Sequence, residues 1–405
     1  MFRVLTISLV ILLLFPMVTF ANTDNIKAAF IRDWNLWTLI GDKETQITKE
    51  NKKVFSPKWS SDGEWILYQV ASTTEFGEEN EVWAYNLETK EFKRIARNGN
   101  SPAWAPNKNV IAYNDSGILD ISDLDQFYNI ATGVSDFTWL PDGNGFLLSS
   151  SGVLRPDGWT SAILYTKEVT DNYEDVPLFG GADHFFTLPK EIEHDNERII
   201  AVNAGDFAYS PSSVWISFIV SPTASWAMDS NMLCVIDRNG ENFEVIDEIT
   251  TFSVGSPKWA PSTDTIAFIA GGGRLTFGFK NKKLKIHEMP TSIQYTPDNY
   301  VDIDFDWVSN EFIITSRTTE GEWSEQPLPI LYSIHIKHNK QVAITNPPNG
   351  YGDYNPQYIE SLEKIIWLRG KSITDEEPTL WKANSDGTEA EAWITNVDSI
   401  EFYGK

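Results

Sequence analysis

One motif recurs along this chain, and its period constrains the fold more than any other feature. Ser56 to Tyr68 reads SPKWSSDGEWILY, Ser101 to Tyr113 reads SPAWAPNKNVIAY, and Ser256 to Phe268 reads SPKWAPSTDTIAF. Looser copies begin at Asp136 (DFTWLPDGNGFLL), Asp206 (DFAYSPSSVWISF), Asp304 (DFDWVSNEFIITS) and Asn355 (NPQYIESLEKIIW). The aromatic anchors are Trp59, Trp104, Trp139, Tyr209, Trp259, Trp307 and Tyr358, spaced 45, 35, 70, 50, 48 and 51 residues apart. One unit is therefore repeated, with one interval stretched.

Each unit decodes as four strands. The anchor strand ends in a turn rich in Asp, Gly, Asn, Ser or Pro, which supplies the backbone angles a hairpin needs. An apolar strand follows, then an alternating one such as Glu81–Asn86, then a fourth after a polar turn. Four antiparallel strands every 40–50 residues, with no helical period, predict an all-β chain and a β-propeller. The 16 Trp fit this reading, because large flat side chains fill the wedge between neighbouring blades. The ends complete the ring. Residues 27–48 hold three strands without an anchor, and Val397–Tyr403 looks like an anchor strand with nothing after it. Together they form one closing blade, which removes the exposed sheet edges. The predicted count is eight blades, or seven if one degenerate unit is only an insertion.

These repeats resemble those of the TolB-like, or WD40-like, propellers over most of residues 26–403. The resemblance implies a fold and says little of function. TolB itself carries an α/β domain ahead of its propeller, whereas here the repeats start almost at once. Serine oligopeptidases fuse a similar propeller to an α/β-hydrolase domain. This chain has no Gly-x-Ser-x-Gly elbow and no room for that domain. Some TolB-like propellers are polysaccharide lyases that hold a metal with several His.

Residues 1–21 read as an export signal: Arg3, an apolar stretch from Val4 to Phe15, Pro16, and the small Thr19 and Ala21 before a cut at Asn22. An uncleaved anchor is the alternative, at the short limit for a span. The propeller domain is then 22–405, periplasmic or secreted, with no membrane contact after cleavage. The net charge of −25 excludes the Lys- and Arg-driven binding of nucleic acid. The lone Cys234 excludes a disulfide framework and lies in an apolar strand, as a core thiol would.

In a propeller the anchor strands line the channel, and the connections entering them share a face with the second-to-third-strand loops. Those loops hold the long insertions Ala71–Asn80, Ser150–Thr160, Ser221–Asn231, Ser316–Pro329 and Arg369–Thr379. They carry Phe76, Trp159, Trp226 and Trp323, flat surfaces suited to sugars, peptides or aromatic ligands unless each folds over its own blade. The position three before each anchor holds Ser56, Ser101, Asp136, Asp206, Ser256, Asp304, Asn355 and, at closure, Ser399. Asp302, Asp353 and Asp398 are placed close by. Converging carboxylates call for a cation such as Ca²⁺, an amine or a basic peptide. Alternatively, each side chain caps its strand and bonds to local backbone. On the run Val301–Trp307, strand alternation puts Asp302, Asp304 and Asp306 on one side.

The five His form no convincing metal motif. His335 and His338 flank a turn, and His184 and His194 lie in the acidic segment Val169–Asn203, read as a solvated loop rather than a lid. No catalytic residue is assigned. The expectation is a monomeric, non-catalytic scaffold that binds a protein, peptide or glycan at the cell envelope. Its binding residues are Asp136, Asp206, Asp304, Asn355, Trp159, Trp226 and Trp323. The competing reading is a metal-assisted polysaccharide lyase or glycan hydrolase.

Overall fold

A computed structural model describes residues 26–49, 52–74, 77–195, 197–288, 291–322 and 325–404. The export signal, Phe76 and Trp323 lie outside the described residues. Among those described, no helix is long and apolar enough to cross a membrane.

The chain is an all-β propeller. Among the described residues, six separate four-stranded antiparallel sheets and two short hairpins form, together with one larger sheet that divides into two four-stranded meanders joined through Ile249 and Ala270. Blade 1 shows the plan: Val54–Trp59 innermost, then Trp65–Thr74, Gly77–Asn86 and Phe92–Ala96. Blades 2 to 7 follow in chain order over residues 100–132, 136–187, 203–249, 258–294, 300–343 and 352–395. The closing blade takes Lys27–Arg32, Asn35–Ile40 and Lys43–Gln46 from one end and Ser399–Phe402 from the other. Ala28 faces Phe402 and Phe30 faces Ile400 across that seam.

Turn chemistry sets each meander. In blade 1, Ser60 Oγ donates to Asp62 Oδ1 (2.6 Å) and accepts the Trp65 amide (3.0 Å). Gly63 takes φ +67, and a Cβ there would lie 2.7 Å from the Tyr403 ring, so only glycine lets the C-terminal residues seat beside this turn.

Among the described residues, eight hydrophobic clusters stand between neighbouring units. The pair of blades 6 and 7, for example, encloses Ile314, Leu331, Ile365 and Trp367. Each fully buried large side chain of this kind contributes roughly 1.5–3 kcal/mol. The apolar runs of the second and third strands follow directly, because both faces of every sheet are covered.

The anchor tryptophans also stitch blades together. Trp59, Trp104, Trp139, Trp259 and Trp307 each donate the indole N–H to a carbonyl of the preceding blade: Glu401 (3.1 Å), Lys58 (3.2 Å), Ala103 (3.3 Å), Ala208 (3.1 Å) and Lys258 (3.0 Å). The acceptor is one position ahead of the previous anchor each time. A recurrent Trp in the sequence is thus a recurrent donor as well as a wedge.

The segment read as a solvated acidic loop is structured instead. It supplies the fourth strand of blade 3, Asp183–Thr187, and a hairpin of Glu191–His194 with Glu197–Ile200. Ile192 and Ile199 are buried from this hairpin against blades 3 and 4. The acids alternate with apolar residues, so the charged face conceals an ordinary amphipathic pair of strands.

Candidate functional site

The eight positions three before the anchors all stay outside the core. Ser56, Ser101, Asp206 and Ser256 are exposed, and Asp136, Asp304, Asn355 and Ser399 are half-buried. Four of them have left-handed backbones: Ser56 (φ 52°), Ser101 (51°), Asp206 (52°) and Asn355 (49°). At each the strand register shifts, so the chain forms a β-bulge there. A bulge turns one side chain out of the pleat and is a common device beside binding sites. Asn, Asp and Ser suit it, because short polar side chains tolerate the left-handed region best after glycine.

Asp136 and Asp206 meet between blades 3 and 4. Asp136 Oδ1 accepts the amide of Phe137 (2.8 Å), and its Oδ2 accepts the amide of Asp206 (2.8 Å). A Cβ at Gly205 would lie 2.2 Å from that Oδ2, so glycine is required for the approach. Burial pushes the Asp136 carboxyl up, and the Asp206 charge adds to the rise. The surrounding protein pushes Asp206 up too, although its side chain is reached by solvent, as expected inside a channel. Among the described residues, nothing donates to the Asp206 carboxylate.

Asp304 repeats part of this arrangement. Its Oδ1 accepts the Phe305 amide (2.7 Å), and a Cβ on Gly255 would lie 2.2 Å away. Asp304, Ser256, Asn355 and Asp398 line one cavity of about 490 Å³ at the channel mouth. Burial raises the Asp398 carboxyl, Asp33 adds to the rise, and Lys53 opposes it. The structure therefore groups the predicted mouth residues into a pair, Asp136 with Asp206, and a quartet around Asp304.

Two acids placed near the mouth by sequence are buried in cross-strand ion pairs rather than open to it. Asp302 is fully buried and takes two bonds from Arg317, Nε to Oδ1 and Nη2 to Oδ2, each 2.8 Å. Asp353 is equally buried and accepts from Arg369 (2.7 and 3.0 Å) and from Trp367 Nε1 (2.9 Å). Both pairs face each other directly across their strands. Nor do Asp302, Asp304 and Asp306 share one side: a register shift between Asp302 and Asp304 breaks the alternation. Asp306 is buried, 3.3 Å from Lys258.

The Lys of the repeated SPKW is a further signal in the sequence. Lys58 Nζ donates to the Pro102 carbonyl (2.8 Å), and Lys258 Nζ to the Phe305 carbonyl (2.6 Å). Burial lowers the Lys58 amine, and Glu401 opposes the shift. Lys58, Glu401, Trp59, Trp104 and Tyr403 line a cavity of about 1020 Å³. Lys258 also lines the cavity around Asp304, so acids and an amine share that opening.

Of the loop tryptophans, Trp159 sits half-buried in a short hairpin opposite Leu154. Trp226 is 42% exposed on a one-turn 3-10 helix that Arg274 braces through Asp229 and the Ser225 carbonyl. Trp34 was overlooked by the sequence reading and is more exposed than either, at 59%. The Cys234 thiol is buried, and burial pushes its pKa up, as for a core side chain. His184 bonds Thr187 Oγ1 (2.8 Å), and His335 and His338 stack at 4.6 Å. Among the described residues, no three His, Cys, Asp or Glu side chains gather as a metal cage.

No family model matches the chain, and no curated protein matches it either. Solved structures do. A eukaryotic initiation factor aligns at 10% identity over 95% of this chain and 88% of its own, with a TM-score of 0.59. Dipeptidyl peptidase 4 of Porphyromonas gingivalis aligns at 11% identity over 92% of this chain and 58% of its own, with a TM-score of 0.57. TolB of Acinetobacter baumannii aligns at 16% identity over 65% of this chain and 61% of its own, with a TM-score of 0.38. The chain spans under two thirds of the peptidase and of TolB. At such identities a likeness shows the fold alone.

Proposed function

We propose that this chain is an exported, non-catalytic propeller scaffold whose channel mouth takes a basic group of a peptide, protein or glycan at the cell envelope. One observation carries the reading. Asp206 is held on a left-handed bulge, its amide is tied to Asp136, and its exposed side chain has no donor to its carboxylate among the described residues. A carboxylate raised by its surroundings gains from a cation brought against it. A side-chain ammonium or guanidinium suits the site better than a caged ion, since both Asp136 oxygens already accept backbone amides and Asp206 alone keeps its carboxylate open.

Asp304 and Asn355 extend the same mouth, and Trp159 and Trp226 would supply flat contacts from the surrounding loops. The repeats are read as TolB-like, and the location as periplasmic or secreted. Ca²⁺ at the mouth carboxylates is the less favoured occupant, checked by calorimetric titration of the ion alone.

A fluorescent hexalysine peptide tests the reading. Asp206→Asn should weaken its binding at least tenfold, as should joint alanine replacement of Asp136, Asp206 and Asp304, with the melting transition retained in Asp206→Asn. Equal affinity in Asp206→Asn and the parent would reject the mouth site. Turnover of a glycan panel with added divalent metal would replace the scaffold reading with the catalytic one.

A further inference from the structure

A second cavity, of about 950 Å³, opens beside the hairpin tip of the closing blade and the long hairpin of blade 1. Its cations are Lys52, Lys53, Arg94 and Arg97, and its acids are Glu79 and Glu81. Lys52 pairs with Glu81 (3.3 Å) and Arg97 with Glu79 (3.5 Å). Lys53 and Arg94 form no ion pair among the described residues, although Asp398 lies within electrostatic reach of Lys53. The cavity therefore carries four cations against two acids, a local positive excess in a molecule whose net charge is −25.

Trp34 shapes this charge. It sits at the tip with φ 61°, beside Asp33 at φ 49°. Two left-handed residues make the hairpin turn, a place where Asn and Gly are favoured and a bulky aromatic is strained. Strain of this kind is kept where the side chain has a use. The Lys53 ammonium lies over the Trp34 ring, 5.9 Å from its centre. A ring holds a cation in place without neutralising it.

We infer that this cavity binds an extended acidic peptide segment, with carboxylates on Lys53 and Arg94 and an apolar side chain against Phe55. Arg94 offers the planar fork that carboxylates take in two-pronged fashion. An acidic sugar fits less well, since a pyranose would need the Trp34 face that Lys53 covers. The inference is independent of the mouth reading, because none of the mouth acids lines this cavity.

The probe is a capped hexapeptide of Glu and Asp with one central Leu, titrated by calorimetry at low ionic strength. Binding is expected, weakening as salt rises. The double variant Lys53→Glu with Arg94→Glu should bind at least tenfold more weakly, and both residues are exposed, so the fold is kept. Asp206→Asn should leave this affinity unchanged. No binding by the parent, equal binding by the double variant, or tighter binding of an oligogalacturonate than of the peptide would overturn the inference.

Discussion

The amide of Asp206 donates to Asp136 Oδ2 over 2.8 Å, so the two acids of adjacent blades are coupled through backbone as well as charge. Burial is the larger cause of the raised Asp136 pKa, and the Asp206 charge adds to it. Asp206→Asn should therefore lower the Asp136 pKa while leaving it above the ordinary carboxylate value. Carboxyl-carbon NMR titration reads this directly. An unchanged Asp136 pKa would show that the Asp206 charge does not reach Asp136.

The indole stitches make a stability prediction. Trp307 is buried and donates to the Lys258 carbonyl (3.0 Å). Trp307→Phe removes the donor and leaves a void, and should cost about 2–4 kcal/mol in denaturant unfolding. Trp226→Ala, on an exposed turn, should change stability by no more than about 0.5 kcal/mol.

Asp120 is buried in blade 2, and burial raises its pKa to about 6 against the Asn129 hydrogen bond that lowers it. The folded state holds this proton more tightly than the unfolded chain, where the value is near 3.8. Its contribution to stability is therefore full below pH 3.8 and is lost as pH rises through 6. Asp120→Asn removes the slope and should stabilise the protein at pH 7 by on the order of 2 kcal/mol. Unfolding midpoints from pH 4 to pH 7 check both points.

Lys282 behaves in the opposite sense. It is fully buried, donates to the carbonyls of Gly271 (2.9 Å) and Gly272 (2.6 Å), and burial lowers its pKa to about 8. Between pH 8 and 10.5 the unfolded chain binds the extra proton, so stability from this site rises with pH across that window. Lys282→Met should abolish the rise, a difference on the order of 3 kcal/mol between the two proteins across the window. Parallel slopes would show that Lys282 is solvated in the folded state.

The sequence disclosed the ring because every anchor marks the same strand of every blade, and because the three strands before Ser56 lacked the one that Ser399–Phe402 provides. It also disclosed which positions stay outside the core at the mouth. It concealed their conformation: nothing in Ser56 or Asp206 announces a left-handed bulge. The burial of Asp302 and Asp353 was hidden because it depends on a cross-strand arginine. That signal was present, since Arg317 and Arg369 lie about as far beyond their hairpin turns as the acids lie before them. Trp34 escaped notice because a two-residue turn offers no long insertion to attract attention.

The proposed mouth site depends above all on the Asp206 carboxylate as the receptor of a basic group. Its pKa should be measured by NMR titration with and without saturating hexalysine. The account predicts a raised value in the free protein that falls when the peptide binds, because a cation beside a carboxylate favours its charged form. Binding of the peptide with the Asp206 pKa unmoved would contradict it.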